Sequence, residues 1–341
     1  APPGTAQRVL AGLRDAVETE PRRPRLEWAA GAAVVVLAVL IVAALLWSRL
    51  GIRPQPAGQP ETPTARAGAA VVYDPARHVL VLFGGRTDAG SALADTWTWD
   101  GSRWMRRDPQ ASPGPLPEGF HVAYDAANRS VVLAGYPGET WTWDGRDWTR
   151  HPTSGPRIAA GDAMAYDPAS RTVLLYTTPA PRTHETWSWD GTAWSQLHPS
   201  VTADVEEGTM VYDGHQVLLV GTPFAMVQGL ETWAWDGHTW SQLTPALRLP
   251  VSSTAAFAYD EAHGRLVALI VPADVGGVET WTWDGTTWRK EHPAHQPGTR
   301  RGAALVYDAA LRSVILYGGV SGRSLGDIWT WDGGDWKEVT R

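Results

Sequence analysis

One eight-residue pattern, Trp-x-Trp-Asp-Gly-x-x-Trp, recurs six times in this chain, beginning at Trp97, Trp141, Trp187, Trp233, Trp281 and Trp329. The intervals are 44, 46, 46, 48 and 48 residues, and the octads hold 18 of the 20 Trp. A fixed period of this length marks an array in which each copy is one supersecondary unit that cannot bury its own apolar face. The first two Trp of an octad lie two apart, so on a strand both project from one face, while neighbours such as Thr96 and Thr98 project from the other. Asp-Gly then starts a turn, which brings the third Trp back opposite the second.

Each copy carries an upstream Tyr-Asp pair, at Tyr73-Asp74, Tyr124-Asp125, Tyr166-Asp167, Tyr212-Asp213, Tyr259-Asp260 and Tyr307-Asp308, followed by a short apolar run. Four strands per copy follow, and in the first copy they are expected near 68–73 (A), 79–84 (B), 95–99 (C) and 103–108 (D). Large indoles on one face need a neighbouring sheet to cover them, and six radially arranged sheets can each cover the next. The expected fold is therefore all-β, a six-bladed β-propeller over 66–341, with blades near 66–108, 118–150, 157–197, 203–243, 252–290 and 300–341. The first copy starts at strand A and the last ends at strand D. Closure is expected to rest on side-chain packing between blades one and six, the weakest seam.

These motifs resemble those of the bacterial kelch-repeat proteins, whose propeller is similar to the central domain of galactose oxidase. The Gly-Gly doublet that ends strand B in that family stands here as Gly84-Gly85 and Gly318-Gly319, and the aromatic-Asp of strand C with a downstream Trp is present in all six copies. The doublet is replaced by Ala134-Gly135, Thr177-Thr178, Gly221-Thr222 and Val271-Pro272 in the middle four, so those turns are expected to differ. A WD-repeat propeller is the nearest rival, but the systematic Gly-His pair of that family is missing. The resemblance implies a fold, and several functions: a module binding a protein or glycan, an enzyme of the sialic acid mutarotase type, or a receptor with a cytoplasmic partner.

Residues 28–47 form an uncharged apolar stretch flanked by Trp28 and Trp47. Twenty residues at about 1.5 Å each span a bilayer's hydrocarbon core of roughly 30 Å, so a single transmembrane α-helix is expected here. Arg14, Arg22, Arg23 and Arg25 precede it, against Arg49, Arg53 and Arg66 after it, which places 1–27 in the cytoplasm and the propeller outside. Residues 48–65, with Pro54, Pro56, Pro60 and Pro63, read as an extended linker.

The first 65 residues carry seven Arg and five acids, leaving 22 basic and 31 acidic residues beyond them, a balance of −9 that repels phosphate backbones and argues against nucleic acid as a partner. There is no Cys, which excludes disulfides, zinc-thiolate sites and Cys nucleophiles. The copper-radical cofactor of galactose oxidase, as the resemblance would supply it, needs a crosslinked Cys and is excluded too; no cofactor is expected. The ten His show no metal-ligand spacing, and there is no Gly-x-Ser-x-Gly elbow, so no metal site and no catalytic residue is assigned. The 18 repeated Trp are read as interblade core, because every blade needs packing and a single pocket needs no symmetry. Recognition is expected where the copies diverge, on the D-to-A and B-to-C loops. The D-to-A candidates are Arg66, His121, Arg157, Asp162, Glu206, Glu207, Arg300 and Arg301; Arg86, Asp88, Arg182, His184 and Arg323 lie on B-to-C loops.

Overall fold

The computed structural model describes residues 62–116, 120–152, 155–224, 229–273 and 276–339. They form six four-stranded antiparallel sheets, each built from one continuous copy and paired in the order A-B-C-D. Blade 1 has its strands at Ala70–Asp74, Val79–Phe83, Thr96–Trp99 and Trp104–Arg107, within two residues of the sequence expectation. No helix occurs among the described residues, and so none there is long and apolar enough to cross a membrane. The segment 1–27, the expected span 28–47 and residues 48–61 of the linker lie outside the described residues.

The hairpin between strands C and D follows directly from the octad. Trp99 pairs with Trp104 in register, and the same partnership recurs as Trp143 with Trp148, Trp189 with Trp194, Trp235 with Trp240, Trp283 with Trp288 and Trp331 with Trp336. The paired rings sit 5.2–5.5 Å apart at 43–50°. The turn Asp accepts hydrogen bonds from the backbone N–H two and three residues on, in blade 1 from Ser102 and Arg103 at 2.9 Å each. The Gly after it takes φ between +91° and +101° in all six turns, a region open to Gly at no steric cost.

Every blade shields its predecessor. The third Trp of an octad is buried, and in five blades its Nε1–H donates across the interface to a buried Thr of the preceding strand C: Trp148 to Thr96, Trp194 to Thr140, Trp240 to Thr186, Trp288 to Thr232 and Trp336 to Thr280, at 2.8–3.2 Å. At the sixth interface Ile328 stands where the Thr would be, and the Nε1 of Trp104 is buried without a partner. Trp104 packs on Tyr317 and Ile328 instead. Expected as the weakest, this seam lacks the tie the others share. Side chains are not its whole closure, however. Arg66 N–H donates to Leu325 O (3.0 Å), Gly68 N–H to Gly302 O (2.9 Å) and Gly319 N–H to Arg66 O (3.1 Å), so the residues just ahead of strand A are stitched by backbone to the last blade.

The opposite rim carries a second set of ties. The Asp that ends strand A is at most 5% exposed in every blade and caps its own A-to-B turn. Side chains from that turn or the start of strand B grip the next blade's C-to-D turn: Arg77 reaches Asp144 O, Asn128 reaches Asp190 O, and Arg265, which opens strand B of blade 5, reaches Gly333 O.

Where a Gly doublet stands, strand B stops early. Gly84-Gly85 takes φ of +65° and +95°, and Gly318-Gly319 +67° and +100°, so strand B stops at Phe83 and Tyr317. Blades 3, 4 and 5 have no doublet, and there strand B continues to Ala180, Pro223 and Pro272. In these three blades strand B reaches further toward the loop face.

Candidate functional site

The loop face opens on a central channel walled by the A strands, with a cavity of about 400 Å³ that His121, Asp162, Met164, Met210, Phe257 and Leu305 help to line. Beside it, between blades 4 and 5 and the turn 159–162, is a second cavity of about 350 Å³. Its polar lining consists of Glu207, Thr209, Thr222, Ser252 and Thr254; Phe257 forms part of its apolar wall.

Small residues create this second space. Gly208 N–H donates to Gly161 O at 3.2 Å, bringing the D-to-A turn of blade 3 against strand A of blade 4. A Cβ on Gly161 would lie 2.9 Å from Glu206 O, so only Gly permits that approach. The same turn is fixed from two other sides. Asp162 is 2% exposed and accepts from Ala159 N–H and Thr177 Oγ1–H through Oδ2 and from Thr178 N–H through Oδ1. His121 of blade 2 faces the carbonyl of Ala159 at 2.9 Å, so its Nε2 carries the proton; burial lowers its pKa, against the opposing pull of that carbonyl and Asp162.

The eight D-to-A candidates thus separate into three kinds. His121, Asp162 and Glu207 lie around the turn 159–162 and the start of strand A in blade 4, which Glu206 meets only through its backbone carbonyl, its side chain turning toward His184. Arg157 and Arg301 are exposed. Arg66 and Arg300 are 1% and 5% exposed and point inward: Arg66 bonds both oxygens of Asp95, at 2.6 and 2.9 Å, and Arg300 those of Asp327, at 2.8 and 3.0 Å. Each also donates to the first Gly of its doublet, Gly84 or Gly318. Burial pushes the pKa of Asp95 and Asp327 upward, but the guanidinium and a Trp Nε1–H on each carboxylate outweigh it and hold both below the usual range. On the B-to-C loops, Asp88 accepts from Ser324 N–H across the closing seam. Arg182 lies 3.9 Å over the Phe224 ring.

Sequence reasoning missed a uniform feature of the C strands. The first Trp of every octad donates its Nε1–H to the acid two residues earlier: Asp95, Glu139, Glu185, Glu231, Glu279 or Asp327, at 2.6–3.1 Å. The signal was present, because an acid stands at that offset in all six copies. The shorter Asp occurs only in the two blades that also have Gly-Gly and a buried Arg 18 residues before it.

No family model matches the chain, and no curated protein does. Solved structures do. The SapL1 lectin in complex with α-methyl fucoside is similar over 81% of this chain and 95% of its own, at 15% identity and a TM-score of 0.55. AofleA from Arthrobotrys oligospora covers 81% and 87%, at 10% identity and 0.58. The Aleuria aurantia lectin in complex with Fucα1-6GlcNAc covers 82% and 97%, at 14% identity and 0.55. At such identities the shared property is the fold. The class so defined is the six-bladed β-propeller, and neither the kelch type nor a ligand follows from it.

Proposed function

We propose that the chain is a membrane-anchored, extracytoplasmic propeller of kelch type that binds a glycan over blades 3 to 5 without catalysing its conversion. The observation that carries the proposal is the lining of the 350 Å³ cavity, where, among the described residues, Glu207 is the one ionisable side chain beside the hydroxyls of Thr209, Thr222, Ser252 and Thr254. Hydroxyls and a carboxylate suit the alternating donors and acceptors of a sugar, and the Phe257 ring suits its C–H face. A mutarotase-type reaction needs a proton donor and acceptor around one reacting atom, and among the described residues of this lining Glu207 has no such partner. Exposed Arg157 serves as an outer contact, while Arg66 and Arg300 hold the blades that frame the face.

That lectins named for fucosides share the architecture supports a sugar as ligand. The apolar run 28–47 and the Arg bias before it support the anchor and the orientation, and the doublets with the strand C motif support the kelch type.

The test is a glycan array probed with the full chain in detergent micelles, beside Glu207→Gln. Retention of a defined glycan class by the wild type and a loss of about 10- to 100-fold in the variant are expected, from a charged hydrogen bond worth roughly 1.5–3 kcal/mol. Retention of no glycan would refute the ligand class, and equal binding by Glu207→Gln would refute the site.

A further inference from the structure

At the seam between blades 3 and 4, three side chains from separate elements meet on the loop face. His184 lies on strand C of blade 3 (Thr183–Trp189), Asp204 just ahead of strand A of blade 4 (Val205–Tyr212), and Glu206 within it. Their ligand atoms all fall within 4.8 Å of one another. The Nε2 of His184 is 3.3 Å from Asp204 Oδ1 and 3.9 Å from Glu206 Oε1. Tetrahedral coordination with bonds of about 2.0–2.1 Å puts neighbouring ligand atoms roughly 3.3 Å apart, so the trio needs only small adjustments to close on an ion.

The donors are held in place from behind. His184 is 8% exposed, and its ring stacks on Tyr176 at 5.7 Å and 15°. The Tyr176 hydroxyl donates to Ala203 O at 2.6 Å and accepts from Val205 N–H at 3.3 Å, so one phenol fixes both the imidazole and the segment bearing Asp204. The backbone N–H of Arg182 donates to Glu206 Oε1 at 3.2 Å, a support of the kind that orients metal-binding carboxylates. Its guanidinium lies over Phe224.

The Nδ1 of His184 is buried without a partner. With an ion on Nε2, where the two carboxylates converge, the neutral imidazole carries its proton at Nδ1. The side chain of Asp204 is 63% exposed, which leaves the outer side of the trio open to water or to an oxygen of a bound molecule.

We propose that His184, Asp204 and Glu206 form a site for a divalent cation of the Zn²⁺ type, one that ties blade 3 to blade 4 and keeps an open position toward solvent. One imidazole with two carboxylates matches such a borderline cation better than Ca²⁺ or Mg²⁺, which take oxygen alone. The site is separate from the Glu207 cavity and stands whether or not a glycan binds there.

The full chain, stripped with EDTA and titrated with ZnCl₂ by calorimetry, is expected to bind one equivalent and to melt at a higher temperature with the ion than without. Asp204→Asn, whose side chain is mostly exposed, and His184→Phe, which preserves the stack on Tyr176, are each expected to weaken binding by about 100-fold or more, since even indirect supports of a metal site cost about 10- to 100-fold. Both should also abolish the rise in melting temperature. His295→Ala, at the exposed His295–Asp335 pair, should change neither reading. Absence of a one-to-one phase in the wild type would overturn the assignment. So would wild-type affinity in Asp204→Asn, which stays informative even if His184→Phe fails to fold, or loss of the ion in His295→Ala.

Discussion

Replacing Thr186 by Val tests the interblade tie with little change of shape. Thr186 is 1% exposed and accepts the Nε1–H of Trp240, itself 1% exposed, at 3.0 Å. Val fills the same volume but offers no acceptor, so the indole N–H stays dry and unpaired. A lost hydrogen bond contributes about 0.5–1.5 kcal/mol, and a stranded buried donor costs about 1–3 kcal/mol; the expected loss is about 2 kcal/mol. In a domain of this size each kcal/mol lowers the melting temperature by roughly 2–4 °C, which makes the change measurable by calorimetry on the full chain. Ile328 provides the internal control. Ile328→Thr would give Trp104 its missing acceptor, and should cost less than Ile270→Thr, a buried position where the new hydroxyl gains no such partner. A loss below about 0.5 kcal/mol for Thr186→Val, or equal losses for the two Ile substitutions, would show that the Trp-to-Thr contacts contribute nothing to the seams.

Trp189→Ala removes a side chain that is 0% exposed, and should cost about 3–5 kcal/mol in urea unfolding. Arg66→Ala strands the Asp95 carboxylate and should cost on the order of 3 kcal/mol, whereas Arg157→Ala, on the surface, should stay within about 0.5 kcal/mol in the same assay. The Ser102 hydroxyl, with the N–H groups of Arg103 and Ser102, lowers Asp100 to about 2, and the equivalent turn residues Asp190 and Asp284 are lowered as well. A depressed carboxylate contributes stability that is present above the unfolded value of about 3.9 and disappears as pH falls through the folded one. Unfolding midpoints in urea should therefore drop between about pH 4 and pH 2. Asp100→Asn should flatten part of that drop, and an unchanged slope would remove Asp100 as a cause.

The fold was legible because it rests on short-range rules repeated six times. A two-residue spacing sets the faces of strand C, Asp-Gly sets the hairpin, and the pairing of Trp99 with Trp104 follows from both. The loop face was less legible, since charge in a variable loop looks alike whether it meets water or a buried partner. Arg66 and Arg301 illustrate the difference: both precede a strand A, yet one bonds Asp95 inside its blade and the other is exposed. Sequence could have separated them only by comparing copies, because Gly-Gly, Asp and the early Arg occur together in blades 1 and 6. The trio of His184, Asp204 and Glu206 had no such signal. Its members come from two copies, and no spacing within one copy reports a contact made across a seam.

Hydrogen exchange at the indole nitrogens tests most directly whether each blade seals the one before it. In the ¹⁵N-labelled chain, the Nε1–H groups of Trp148, Trp194, Trp240, Trp288 and Trp336 should exchange far more slowly than free indole, and slow further as global stability rises. Exchange of those five at the rate of a solvated indole would contradict a closed ring of mutually covered blades.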